Sequence, residues 1–292
     1  MRTKNTHSPL PGRPPAGPLE HELAPLMTEL FAGAWQPPAD EPAAAAATRI
    51  RLLERLAVSR AAEAPMFTAR RRAVRRDVLA DGVAAQTLYT ASAGHALRPG
   101  EPLRARLIEL AAGTRLRPEM LGTQAELRPR HREWLVLSGN VRSGDDILVQ
   151  RDYHVTPAGH GTPDWACGTD GALLFLRESE AAAAPADLPF TLRDADAGWS
   201  PFAAGIRRRV LWQRDGQAAL LYSAQPGAQV PNHTHGHDEE CLMVQGELFL
   251  DDVLLQLGDY QLAPAGTGHR ITETDTGVVI YAHGDLDLKF VA

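Results

Sequence analysis

The chain repeats itself, and the repeat is written in short apolar runs that end on glycine. Glu133-Trp134-Leu135-Val136-Leu137-Ser138-Gly139 returns as Glu240-Cys241-Leu242-Met243-Val244-Gln245-Gly246. Asp152-Tyr153-His154-Val155-Thr156-Pro157-Ala158-Gly159 returns as Asp259-Tyr260-Gln261-Leu262-Ala263-Pro264-Ala265-Gly266. Upstream, Ala80-Asp81-Gly82-Val83 before Gln86-Thr87-Leu88-Tyr89 answers to Ala203-Ala204-Gly205-Ile206 before Arg209-Val210-Leu211-Trp212. The order is kept across both copies, which predicts two related modules. From about Phe67, segments rich in Val, Ile, Leu and Tyr alternate with Gly and Pro turns, as at 107–110, 134–137, 219–222 and 278–281. Many short strands at such intervals predict an all-β chain of sandwich or barrel modules. The boundary between the copies is expected at 180–189, a stretch of Ala, Pro and acids.

The amino-terminal part reads differently. Residues 1–17 are dominated by Pro, Gly and small polar groups and predict a disordered leader. Leu23, Leu26, Met27 and Leu30 have helical spacing, and 36–42 is a Pro-rich break. A longer helix is expected over 43–64, with Ile50, Leu53, Leu56 and Ala57 on one side and Pro65 as its stop. Three segments follow: a leader with helical extension over 1–66, a first β module over 67–180 and a second over 190–292.

Charge and composition exclude some functions. The 292 residues carry a formal net charge of -6, which argues against a nucleic-acid surface. The run Arg70 to Arg76 is short, and pairing with nearby acids explains it better than a polyanion does. No apolar run approaches the ~20 residues of a membrane-spanning helix, and residues 1–18 lack the apolar core of a signal peptide. The two cysteines, Cys167 and Cys241, form no CxxC pair and read as buried thiols in a reducing cytoplasm.

The chemistry is concentrated in Pro231-Asn232-His233-Thr234-His235-Gly236-His237-Asp238-Glu239-Glu240. His233 and His235 are two apart, so an extended strand turns both imidazoles to one face. Gly236 permits a turn that returns Glu239 to them. His269 is the remote candidate, in Pro264-Ala265-Gly266-Thr267-Gly268-His269. Three imidazoles and a carboxylate suit a borderline divalent metal. His237, Asp238 and Glu240 read as groups supporting that site or facing solvent. Glu240 competes with Glu239, but strand alternation turns the two to opposite faces, so only one can serve.

These motifs resemble the cupin family. Gly227, five residues, His233-Thr234-His235, three residues, Glu239, six residues and Gly246 follow its first motif. Gly258, five residues, Pro264, one residue, Gly266, two residues and His269 follow its second, with Glu273 in place of the usual final Asn. The resemblance covers 199–284 well and 67–178 in degenerate form. It implies two double-stranded β-helix barrels and the ligand set His233, His235, Glu239 and His269. It also implies one divalent transition metal in the second module, zinc or iron first, manganese or nickel next. Counted from Gly113, the first copy has Glu119 and Leu121 in place of the paired histidines; in the repeated segments, Arg132 stands in place of Glu239 and Thr162 in place of His269. Its His131, His154 and His160 follow no ligand spacing. A barrel that kept its packing and lost its metal is expected there, with Trp134, Tyr153 and Trp165 as core or as the wall of an apolar pocket.

Within the cupins, Pro226-Gly227, the Glu239-Glu240 pair and Gly258-Asp259-Tyr260 are similar to the cupin module of bacterial zinc-dependent anti-sigma factors. That resemblance implies a sigma-factor partner gripped by an amino-terminal His and Cys zinc site. Here His21 is present, but no cysteine precedes Cys167, and this counts against such a grip. The reading that follows is a metal-binding bicupin of regulatory or small-molecule-sensing type, cytoplasmic, homodimeric through its helical extension, and without nucleic-acid or membrane partners. The alternative is a non-haem dioxygenase acting on a small diketone or catechol-like substrate. A sugar isomerase would need a further acid or base, for which Glu273, Tyr260 and His237 are the candidates.

Overall fold

A computed structural model describes residues 42–92, 100–122, 130–180 and 187–291 of the chain. The leader, the helical spacing at 20–31, His21 and most of the inter-module linker lie outside the described residues. The helix predicted over 43–64 runs Pro42–Glu63. Proline is tolerated at its first turn, where the missing N–H would have no partner in the helix.

Two antiparallel sheets are built on one plan. In one, the strands follow the order Phe190–Leu192, Tyr153–Thr156, His131–Ser143, Trp165–Ser179, Pro102–Leu110, Val83–Thr90 and Arg76–Ala80. In the other, the order is Phe67–Ala69, Tyr260–Ala263, Glu239–Leu250, Val278–Asp285, Gln217–Ala224, Ile206–Arg214 and Ser200–Ala203. The repeat in the sequence is thus a repeat in topology, and the fold is a double cupin with a short amino-terminal helix.

The short edge strands change places. Phe67–Ala69 opens the first module but pairs with Tyr260–Ala263 of the second, Phe67 opposite Leu262. Phe190–Leu192 opens the second module but pairs with Tyr153–Thr156 of the first, Phe190 opposite Val155. Each exchanged strand is clasped by the aspartate that opens the other module's repeated segment. Asp259 accepts from the Arg71 amide at 2.9 Å and from Arg70 Nη1 at 3.0 Å. Asp152 accepts from the Asp194 amide at 2.7 Å and from Arg193 Nη1 at 3.2 Å. The exchange covers edges that would otherwise offer unpaired backbone groups. Arg76 meets Glu109 at 2.8 Å and Arg75 meets Asp77 at 2.8 Å, so these arginines of the basic run are paired with acids.

The runs Trp134-Leu135-Val136-Leu137 and Cys241-Leu242-Met243-Val244 are apolar at every position because both faces of their strands are covered. Trp134 and Val136 fill the first barrel with Ile108, Trp165 and Leu174. Cys241 and Met243 fill the second with Leu248 and Leu255. The opposite faces meet in a shared core between the barrels, where Leu135, Tyr153 and Phe175 pack with Leu221, Leu242, Tyr260 and Tyr281. Burying each such side chain stabilises by roughly 1.5–3 kcal/mol. Trp134 and Trp165 pack edge to face at 5.8 Å, whereas Tyr153 points to the shared core. The three aromatics therefore line no common pocket, since Tyr153 alternates to the other face of its strand.

Candidate metal centre

One strand pairing brings the two motifs together. His233–Thr234 lies antiparallel to Gly268–His269, with His233 directly opposite His269, and opposed residues share a face. The loop that carries His269 is fastened to the first motif. The His235 amide donates to Thr267 O at 2.9 Å, and the Gly266 amide donates to His235 O at 2.8 Å. Asp238 Oδ1 accepts from the Ala265 amide at 2.8 Å, so Asp238 ties the loop down instead of facing the site. A Cβ at Gly268 would stand 2.2 Å from the His233 carbonyl oxygen, and only glycine permits this approach.

The ring centroids of His233 and His235 are 5.2 Å apart, those of His233 and His269 5.7 Å, and those of His235 and His269 5.1 Å. The three residues are 2%, 3% and 3% exposed. Donor atoms of His233, His235 and Glu239 lie within 4.8 Å of one another, the one such group among the described residues. His269 falls outside that tight set but closes the ring of imidazoles.

Hydrogen bonds prepare the donors. His233 Nδ1 sits 2.9 Å from Pro231 O. A carbonyl can only accept, so Nδ1 carries the proton and Nε2 is left bare. His269 Nδ1 faces Asp251 Oδ2 at 3.4 Å, and Asp251 also accepts from the Arg270 amide at 3.0 Å. Sequence reading missed Asp251. It follows Leu250 in a tight turn with φ 52°, a local shape that carries no ligand signature.

Both ring nitrogens of His235 and Oε2 of Glu239 are buried without a hydrogen-bond partner among the described residues. His235 Nδ1 lies directly against Glu239 Oε2. A buried imidazole and carboxylate held in contact, beside two further imidazoles, are groups that a shared cation can satisfy, so this donor set fits a divalent metal. The electrostatics agree. Burial lowers His233. Burial also pulls on His235, but the Glu239 carboxylate outweighs it and the net shift is upward. Burial alone would raise Glu239; the three imidazoles, His235 foremost, reverse this and hold it at about 2.

His233, Glu239 and His269 open on a cavity of about 50 Å³ inside the second barrel, walled by Phe202, Ile206, Tyr222, Cys241, Leu248 and Val278. The other candidates are placed elsewhere. His237 is 40% exposed and pairs through Nδ1 with Asp285 Oδ1. Glu273 accepts from Gln229 Nε2 at 2.9 Å on the exposed side. Tyr260 and Glu240 belong to the shared core. In the first module, His154 bonds Thr191 Oγ1 at 2.9 Å and His160 bonds Asp187 O at 2.9 Å, while His131 faces Trp212.

Glu240 neither supports the centre directly nor faces solvent, as it is 0% exposed. Alternation turns it away from Glu239 and toward Arg177 of the first module, whose Nε it binds. Arg177 Nη1 also donates to Glu133 Oε1 at 2.8 Å. Glu133 Oε2 accepts from Tyr153 at 2.5 Å and Tyr281 at 2.8 Å, and Glu240 Oε1 accepts from Tyr260 at 2.7 Å. Burial opposes the charge on Glu133, but Arg177 wins and holds it at about 2. Burial prevails at Glu240 and raises it despite Arg177. This network joins the modules directly behind the strand that carries Glu239.

Comparison with known proteins agrees with the fold. Residues 189–287 match the family model of the ChrR cupin-like domain. A candidate dioxygenase from Nostoc punctiforme superposes with TM-score 0.58 at 16% identity, over 78% of this chain and 85% of that one. Oxalate decarboxylase from Bacillus subtilis superposes with TM-score 0.52 at 15% identity, over 75% of each chain. The Ylba protein from E. coli does so with TM-score 0.59 at 13% identity, over 75% of this chain and 90% of that one. No curated protein matches the sequence. The chain has the cupin fold in two copies, and the second resembles the ChrR cupin-like domain.

Proposed function

We propose that the second module binds one divalent transition metal through His233, His235, Glu239 and His269, and that this metal serves a regulatory or small-molecule-sensing role. The convergence of His233, His235 and Glu239 donor atoms within 4.8 Å, with His269 opposite His233, carries the proposal. Imidazole-rich ligation with one carboxylate suits zinc or iron, with manganese and nickel next in line. Bound there, the metal would supply Lewis acidity and coordination positions for a small ligand. His233 and His269 would present bare Nε2 atoms, set by Pro231 and Asp251. The apolar wall would exclude bulk water.

The size of the cavity favours sensing over turnover of a large substrate. Enzyme and drug pockets run to roughly 300–1,000 Å³, whereas this one offers about 50 Å³. The dioxygenase reading retains the support of the Nostoc punctiforme neighbour, described in those terms. An isomerase loses its candidate groups, since Tyr260, Glu273 and His237 are all engaged elsewhere. Among the described residues no helix is long and apolar enough to cross a membrane. The free thiols Cys167 and Cys241 support a reducing cytoplasm. A homodimer remains part of the proposal; a sigma-factor partner is disfavoured, since the likeness to the ChrR cupin-like domain is confined to 189–287 and no cysteine precedes Cys167.

Anaerobic reconstitution with Fe²⁺ and, separately, Zn²⁺ tests the role. Oxygen uptake is then followed with diketone and catechol-like substrates. The sensing reading predicts metal retention without substrate-coupled uptake. Rapid uptake coupled to product with Fe²⁺ alone would establish the dioxygenase instead.

A further inference from the structure

The end of the first barrel that corresponds to the metal centre is lined with guanidinium groups. Arg132, in the position of Glu239, is paired in register with Glu178 on one side and Thr156 on the other. Three arginines converge on Glu178, which is 0% exposed. Arg104 Nε approaches it at 2.7 Å, Arg106 Nη2 at 3.2 Å and Arg132 Nε at 3.0 Å. Arg106 and Arg132 are themselves 4% and 3% exposed. Half-buried Arg130 immediately precedes this strand. Burial first, then Arg104 and Arg132, lower its pKa against the pull of Glu178.

Arg104 and Arg106 make further interactions. Three other donors are left over. Arg132 Nη2, Arg130 Nε and Thr156 Oγ1 are buried with no hydrogen-bond partner among the described residues. Thr156 is 0% exposed and, as the register partner of Arg132, shares its face. A self-contained ion-pair network would have no use for these groups, and buried donors without acceptors oppose folding. An apolar filling would serve stability better than crowded guanidiniums. Every leftover group can donate, so the missing partner is an acceptor, and clustered guanidiniums call for a negatively charged one. A guanidinium fork matches the oxygens of a carboxylate or a phosphoryl group.

We infer that the first barrel is a binding module for a small oxyanion, a carboxylate or phosphoryl compound, held by Arg132, Arg130 and Thr156. Where the second copy would hold a cation with a carboxylate and imidazoles, the first holds an anion with side-chain cations. The inference is independent of what the second module does.

Calorimetric titration of the full chain tests it. The chain is first treated with chelator, so that no metal in the second module captures the anion. Inorganic phosphate is used in one arm and oxalate in the other. Saturable binding of one equivalent is expected in at least one arm, and the responsive arm identifies the group recognised. Arg132→Gln should weaken it at least about tenfold, the value of one charge-assisted hydrogen bond. Thr156→Val and Arg130→Gln, which leave the contacts of Glu178 with Arg104, Arg106 and Arg132 in place, should each weaken it about fivefold or more. These two variants decide the matter if Arg132→Gln does not fold. The inference is overturned if neither anion binds, if both milder variants bind as the parent does, or if binding appears only after metal is restored.

Discussion

At the residue scale, the candidate centre rests on two kinds of group that sequence reveals unequally. His233, His235, Glu239 and His269 were legible because their spacing follows strand alternation and a known pair of motifs. Asp251 was not, because its relation to His269 is created by a turn and a strand pairing distant from both motifs. Its role gives a graded prediction. Removing a hydrogen-bond partner of a metal-bound imidazole costs about 10- to 100-fold in affinity, and Asp251→Asn should fall in that range. His269→Ala should exceed it, because a donor atom itself is lost. His237→Ala should change affinity little, since its ring engages Asp285 and is 40% exposed. Competition with a metal-sensitive dye would measure all three. Equal losses from His237→Ala and His269→Ala would move His237 into the coordination sphere and contradict the assignment.

At the scale of elements, the strands themselves were visible as apolar runs, and the helix over Pro42–Glu63 as a stretch of good helix formers closed by Pro65. The exchange of Phe67–Ala69 and Phe190–Leu192 between the modules was not. A three-residue strand has no periodicity to read, and its partner lies far away in sequence. The aspartates are legible as part of the repeat, but their action as clasps depends on strand partners that only the fold brings near. Asp152→Asn and Asp259→Asn keep the shape and remove the charge. Each should destabilise by on the order of 2 kcal/mol, the worth of a hydrogen-bonded charge lost from a partly buried site. Urea unfolding checks this. The sharper expectation is that amide exchange accelerates first in the exchanged strand of the clasped module: residues 67–69 for Asp259→Asn, and 190–192 for Asp152→Asn. Unchanged exchange in those strands would mean that edge pairing alone holds them.

At the scale of the whole molecule, the shared core makes the two barrels interdependent and gives them a common sensitivity to acid. His283 is buried beside Glu133, and burial, aided by Arg177, pushes it down to about 3 from 6.5. The unfolded chain therefore takes up its proton first as pH falls. Stability is lost from about pH 6.5 toward 3, at roughly 1.4 kcal/mol per pH unit for one such group. Glu133, held at about 2 against an ordinary 4.5, adds a loss with the same sign below about pH 4.5. In chelator-treated protein, His283→Asn should flatten the slope between pH 6.5 and 4.5 by about one proton. Parallel pH profiles for the two chains would place the acid sensitivity elsewhere. Sequence announced two modules and one candidate metal centre, but it could not announce Arg177 between Glu133 and Glu240. Each of those residues reads as an ordinary strand residue until the barrels are stacked. On the proposed function, the two copies have diverged into one that binds a metal and one that does not. Elemental analysis of the purified chain, after metal loading and dialysis, tests it most directly. About one divalent transition metal per chain is predicted for the parent, and close to none for a chain carrying both His235→Ala and His269→Ala. Two tightly held equivalents, or one that survives the double substitution, would contradict the account.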